Sequence, residues 1–313
     1  MMDRATEKKI VLIARKTRLD ELVVRFNTVD QARFYVEHLG ADFSDYQEED
    51  RTYKAALQSA QACLAGLGRV QLLDRAYVPN FIFGKDDTVV VLGQDGLVAN
   101  VLKYLTVQPV VGVNPDPGRW EGVLLPFQVG DLEGAVLDTL RGRRAIRRVS
   151  MAKAELNTGQ VLYGVNDLFI GPKSHTSARY SLQIGHQSEH QSSSGIIVST
   201  GLGSTGWFRS IVAGATGIAS HLTGSPLQGH QQSAFAWDAD YLCFSVREPW
   251  PSRTSAAGVT FGRITPDCPL SLISQMPENG VIFSDGIEKD FIDFNAGTRA
   301  TIVLAEKKGH LVV

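Results

Sequence analysis

Thr88-Val89-Val90-Val91-Leu92-Gly93-Gln94-Asp95-Gly96 is the stretch on which the fold turns. Its first five residues are β-branched or aliphatic without polar alternation, the pattern of a strand buried on both faces, and a glycine follows at once. Leu97 to Leu105 then reads as a helix and Pro109-Val110-Val111-Gly112-Val113 as a second buried strand. Towards the N-terminus, Lys8 to Ile13 predicts an opening strand, and Thr28 with Gln31 predicts a capping box for a helix ending near Gly40. A further helix over about Arg51 to Leu67 stops at Gly68, before a short apolar run from Val70 to Leu73. Strand and helix alternate through residues 1–140, which predicts a parallel sheet in an α/β domain.

The pattern changes after the basic stretch Arg141-Gly142-Arg143-Arg144-Ala145-Ile146-Arg147-Arg148. Ala178 to Gly185 alternates strictly, with Tyr180, Leu182 and Ile184 on one face, as a half-buried antiparallel strand does. Short apolar runs at Val161 to Ile170, Gly195 to Val198, Tyr241 to Val246, Leu270 to Ile273 and Thr301 to Leu304 are separated by turn residues. Residues 141–313 therefore read as a β-rich second domain. The arginines between the two patterns read as a solvated crossover face, with a phosphate patch as the alternative.

With 31 Lys+Arg against 33 Asp+Glu, the formal charge is -2, which excludes a broad electrostatic grip on nucleic acid. Any bound anion must be held locally, and the 30 glycines suggest loops that could do so. Cys63, Cys243 and Cys268 are odd in number and widely spaced, which argues against a disulfide framework or a zinc pair. The first apolar run, Ile10 to Ala14, is too short for a signal-peptide core, and no run approaches a membrane span. The expectation is a cytoplasmic protein with no membrane partner.

Three constellations can carry chemistry. Gly93-Gln94-Asp95-Gly96 occupies the carboxyl end of a parallel strand, where open α/β sheets place ligands. The following helix start suits an anion and Asp95 supplies a carboxylate, while the plain alternative is a turn with Asp95 as helix N-cap. Ser199-Thr200-Gly201-Leu202-Gly203-Ser204-Thr205-Gly206-Trp207 is a dense donor loop in which Trp207 could cover a flat ring; the alternative is a wide β-loop with a core tryptophan. Asn166-Asp167 interrupts an apolar run and matches a vicinal diol, or else marks a bulge or strand end. Ser284-Asp285-Gly286 reads as a hairpin turn.

In this order the motifs resemble the NAD kinase family, over roughly Lys9 to Val312. Gly93-Gln94-Asp95-Gly96 resembles the family's Gly-Gly-Asp-Gly, Gly112-Val113-Asn114 its Gly-Ile-Asn, and Asn166-Asp167 its Asn-Glu pair. Ser199 to Trp207 is similar to its Ser-Thr-Pro-Thr-Gly-Ser-Thr-Ala-Tyr loop, and Asn114-Pro115-Asp116-Pro117 with Trp207 is more similar to the mitochondrial-type branch. Gln94 stands where the family has its second glycine, Leu97 where threonine is common, and Ser194 where many members have aspartate.

The resemblance implies a Rossmann-like α/β domain followed by a β-sandwich-like domain whose last segment returns to the first. It implies phosphoryl transfer from ATP, with Mg2+, to the 2′-hydroxyl of the adenosine ribose of NAD, and a homo-oligomeric enzyme. Asp95 would be the general base; Gly93, Gly96, Asn114, Asn166, Asp167, Ser204, Thr205, Trp207 and Ser210 would bind the nucleotides. The departures keep two alternatives open: a kinase for another hydroxyl acceptor, such as a sugar or lipid head group, and an NAD(P)-binding sensor without turnover.

Overall fold

The structure is a computed structural model and describes residues 6–225, 234–287 and 289–313. The chain divides into two compact units, residues 1–147 with 310–313, and residues 148–309.

In the first unit the elements are β1 (Lys9–Ala14), α1 (Arg18–Phe26), α2 (Val29–His38), α3 (Phe43–Leu67), β2 (Arg69–Asp74), β3 (Thr88–Leu92), α4 (Asp95–Leu102), β4 (Pro109–Asn114), β5 (Phe127–Gln128) and α5 (Leu132–Leu140). The sheet runs β2-β1-β3-β4, all parallel, with β5 beside the end of β4 and His310 and Leu311 beside its start. Burial explains the strand sequences: Ile10 to Ile13 and Val89 to Leu92 are 0% exposed. Tyr53, Ala56, Ala60, Leu64 and Leu67 form one stripe of α3, and Leu132, Ala135 and Val136 one stripe of α5; both pack on Ile10, Leu12, Val90 and Val111. Each such aliphatic side chain contributes roughly 1.5–3 kcal/mol by leaving water.

Three helix features differ from the sequence expectation. A reciprocal capping box sits at Thr17 and Asp20, opening α1, whereas at Thr28 only the side chain's acceptance from the Gln31 amide is found. The long helix α3 begins at Phe43 rather than near Arg51, because Asp42 caps the Ser44 amide and acidic residues favour the first turns. The helix after Gly93 starts at Asp95 and ends at Leu102.

In the second unit the strands are β6 (Ile146–Leu156), β7 (Val161–Gly164), β8 (Asp167–Pro172), β9 (Ala178–Ile184), β10 (Gln187–Ser193), β11 (Ile196–Ser199), β12 (Leu242–Val246), β13 (Phe261–Ile264), β14 (Leu270–Ser274), β15 (Gly280–Ser284), β16 (Phe291–Asp293) and β17 (Arg299–Val312), with α6 (Trp207–Thr223) between β11 and β12. One sheet runs β10-β9-β14-β17 with β6 and β7 alongside, and the other runs β13-β12-β11-β8-β15-β16. Neighbours in the second sheet are antiparallel. Tyr180, Leu182, Leu272 and Ile302 of one sheet share a core with Leu168, Ile170, Val198, Phe244 and Ile282 of the other, giving a sandwich. The helix α6 is not foreshadowed by the β-rich reading, although Phe208, Ile211, Val212, Ala215, Ile218 and Leu222 repeat at helical spacing; of its residues only Phe208 is buried. Among the described residues no helix is long and apolar enough to cross a membrane.

Candidate functional site

In the first unit, the candidate residues gather where the parallel strands end. Gln94 is the N-cap of α4 with φ -113 and ψ 163, ordinary extended backbone, so its side chain causes no strain where the family pattern has glycine. Asp95 is the first helical residue and not the cap. Its carboxylate accepts from the Leu124 amide at 2.6 Å and the Val123 amide at 3.3 Å, which ties the loop after β4 to the start of α4. A carboxylate has about four acceptor sites, so capacity for a substrate hydroxyl is left.

The two glycines flanking Asp95 do different things. A Cβ on Gly93 would lie 2.8 Å from Leu97 Cδ2, so the glycine makes room for a leucine that is 3% exposed. A Cβ on Gly96 would meet nothing within 4 Å, so its surroundings in the protein leave the α4 start open. Helix geometry leaves the Asp95 and Gly96 amides there without intrahelical partners, while the Leu97 amide donates to the Gln94 carbonyl at 2.9 Å. Asn114 is turned towards its own loop: its Nδ2 donates to the Trp120 carbonyl at 2.9 Å and its Oδ1 accepts from the Asp116 amide at 3.0 Å.

A buried ion-pair network supports this edge and was not visible from motif order. Tyr53 donates its hydroxyl hydrogen to the Leu92 carbonyl at 3.1 Å and accepts from the Arg15 amide at 2.9 Å, joining the ends of β1 and β3. Glu49, one helical turn before Tyr53 and 2% exposed, pairs with Arg15 at 2.7 Å and with Arg18. Burial pushes the Glu49 carboxyl up, but hydrogen bonds from Arg18 and Arg15 and their charges outweigh it, leaving a net lowering. The signal in the sequence is the Glu49/Tyr53 spacing, which becomes readable only when α3 is begun at Phe43. A cavity of about 380 Å³ nearby is lined by Glu48, Thr52, Asp116, Gly118 and Arg119 and does not include Asp95.

In the second unit, the register Asp167↔Ser199 and Leu168↔Ser284 brings the start of β8 and the ends of β11 and β15 to one edge of the sheet. Asn166 lies in the bend before β8 and Asp167 opens the strand, the strand-end alternative of the sequence reading. Thr200 donates its hydroxyl hydrogen to the Val165 carbonyl at 2.6 Å, and Asp285 Oδ1 accepts from the amides of Val165 at 2.9 Å and Asn166 at 2.6 Å. Asp167 is 7% exposed and its carboxylate makes no hydrogen bond among the described residues. Burial, then the charge of Asp285, pushes its carboxyl up to about 7.

The loop after β11 is bonded largely to itself. Ser204 is 0% exposed, donates to the Gly201 carbonyl at 2.6 Å and accepts from the Phe235 amide at 3.2 Å. Thr205 and Ser210 are exposed and reach backbone carbonyls only at 3.4 and 3.5 Å, so their hydroxyls are weakly held. Trp207, at the start of α6, stacks on Phe169 with centroids 6.0 Å apart and an angle of 6°, and the Arg247 guanidinium lies 5.4 Å from its ring centre. Gly201 and Gly203 are required by packing: a Cβ would fall 1.8 Å from the Ala236 carbonyl oxygen and 1.9 Å from that of Asn166.

A parallel α/β unit followed by an antiparallel β-sandwich unit, in this order, is the fold of the NAD kinases. An NAD kinase from Archaeoglobus fulgidus, solved in complex with ATP, is similar over 97% of this chain and 93% of its own, with a TM-score of 0.54 at 15% identity. Yeast NADH kinase complexed with NADH is similar over 98% of this chain and 84% of its own, with a TM-score of 0.58 at 15% identity. No family model matches the chain, and no curated protein matches it.

Proposed function

We propose that the chain is an NAD kinase-like phosphotransferase that moves a phosphoryl group from ATP to the 2′-hydroxyl of the adenosine ribose of NAD. The observation that carries this reading is Asp95: a carboxylate held by two amides at the start of α4, at the end of a buried parallel strand, in a fold shared with an NAD kinase and an NADH kinase. Asp95 accepts the hydroxyl proton as that oxygen bonds the γ-phosphorus; the bond to the bridging oxygen breaks and ADP leaves with the electron pair. Gly96 and the first amides of α4 receive phosphate oxygens.

From the second unit, Asn166 and the buried Asp167 carboxylate take the hydroxyls of a ribose diol, and Thr205 and Ser210 offer further hydroxyls. Ser204 shapes the loop, and the edge of Trp207 lies beside the ligand. Mg2+ would enter with the ATP phosphates, whose charge it neutralises. Trp207 supports placement near the mitochondrial-type branch, and the family resemblance supports a homo-oligomer, which light scattering of the purified chain would test.

A second reading, dinucleotide binding without transfer, is favoured by Leu97, a buried apolar residue where the family pattern offers a hydroxyl. The two separate on one assay: incubation with NAD or NADH, ATP and Mg2+ yields NADP or NADPH under the first reading. Calorimetric binding without product favours the second, and product from a sugar or lipid acceptor alone redirects the acceptor.

A further inference from the structure

Asp285 is more than the turn residue its sequence context suggests. It follows β15 in the left-handed region, with φ 56, and Gly286 continues the turn with φ 69. Its Oδ1 gathers three consecutive amides, those of Val165 at 2.9 Å, Asn166 at 2.6 Å and Asp167 at 3.4 Å, while its own amide donates to the Asp167 carbonyl at 3.0 Å. Successive amides converging on one anion form a nest, which fixes the backbone of the bend.

We propose that Asp285 is a positioning residue: its carboxylate sets the bend that presents Asn166 and Asp167 to a ligand's hydroxyls, and its charge adds to the burial of Asp167 in making that binding proton-linked. This rests on the proposed function for the identity of the ligand, a ribose diol of NAD. The Asp167 carboxyl, buried and carrying no hydrogen bond among the described residues, is pushed up by burial and by Asp285 to about 7. Among the described residues, Asp285 is the charged group whose field raises the Asp167 carboxyl, after burial. Tyr163 of β7, Tyr180 of β9 and, one strand past Ser199, Cys243 of β12 are all raised by burial and stay neutral; Arg179 of β9 is an exposed cation. Two donating hydroxyls are best met by an ionised carboxylate, so NAD binding strengthens as the pH rises towards and through neutrality.

The test uses two variants of the full chain. Asp285→Asn keeps an acceptor oxygen and tolerates the left-handed backbone but removes the charge; Asp285→Gly removes the acceptor without backbone strain. Carbon-13 NMR titration of the Asp167 carboxyl should move to lower pH in Asp285→Asn, and amide exchange at residues 165–167 should accelerate in Asp285→Gly. Calorimetry with NAD should show affinity rising by up to roughly tenfold per pH unit below the Asp167 midpoint in the parent, with that midpoint displaced to lower pH in Asp285→Asn. An unchanged Asp167 titration, or unchanged amide exchange in Asp285→Gly, overturns the proposal. A parent that shows both NMR effects and binds no NAD overturns instead the functional reading on which the ligand rests.

Discussion

Thr200 and Asp285 hold the same bend through opposite halves of its peptide groups. Thr200 donates to the carbonyl of Val165 at 2.6 Å, and Asp285 accepts from the amides of Val165 and Asn166 at 2.9 and 2.6 Å. Thr200 is 0% exposed, so Thr200→Val leaves a buried carbonyl without its hydroxyl donor and should cost about 1–3 kcal/mol, read as a lower urea midpoint at unchanged slope. An unchanged midpoint would mean that the bend is held by Asp285 alone.

Two glycine substitutions should separate packing from ligand access. Gly203→Ala places a Cβ 1.9 Å from a backbone oxygen that cannot give way cheaply, so destabilisation of at least about 1–3 kcal/mol is expected. Gly96→Ala meets no neighbour within 4 Å and sits in the first turn of a helix, where alanine should be neutral or stabilising by up to about 1 kcal/mol. Under the proposed function its methyl group obstructs the phosphates, so turnover should fall while thermal stability holds. A Gly96→Ala protein with parental turnover would remove this helix start from the phosphate site.

These glycines also show what the sequence can and cannot disclose. The buried runs of β1, β3 and β4 were legible because uninterrupted β-branched residues have few alternatives, and Asp95 was legible because it follows such a run directly. The sequence presents Gly201 and Gly203 as part of a ligand-facing donor loop, but their contacts are with Ala236 and Asn166, and no local pattern encodes those pairings. Asp285 looks like a plain turn residue in the sequence for the same reason: its amide partners lie 118 to 120 residues earlier. The helix α6 is the element whose signal the sequence does hold, in apolar residues at helical spacing from Phe208 to Leu222, against glycines and β-branched residues that weaken helix propensity.

The strand-end network gives a stability prediction in the first unit. Tyr53→Phe removes the bond to Leu92 and the acceptor for the Arg15 amide, at an expected cost of about 1–2 kcal/mol. Glu49→Gln should cost roughly 1–3 kcal/mol, since one partner, Arg18, has a side chain 39% exposed and screened by water. Because the Glu49 carboxyl is lowered, its contribution is present above its ordinary value of 4.5 and is lost as the pH falls through the lowered one. The difference between parent and Glu49→Gln should therefore shrink on acidification, and denaturation at neutral and acidic pH would reveal it.

Asp167 should behave in the opposite sense. Its carboxyl is raised from 3.8 to about 7, so across that interval the folded chain holds a proton that the unfolded chain has released. Stability attributable to this group falls as the pH rises through the interval and is level above it. Asp167→Asn should gain on the parent over the same range, by at most about 4 kcal/mol, in urea unfolding at a series of pH values. A difference that does not vary with pH would show Asp167 to be ionised throughout.

Asp95 as the base for phosphoryl transfer to NAD is tested by NADP formation by the parent and by Asp95→Asn, each with ATP and Mg2+, beside calorimetric NAD affinity and a thermal melt. The predicted result is NADP from the parent and a loss of roughly 10² to 10⁴ in rate for the variant, with affinity and melting little changed. No NADP from the parent, or a variant that turns over at the parental rate, would contradict it.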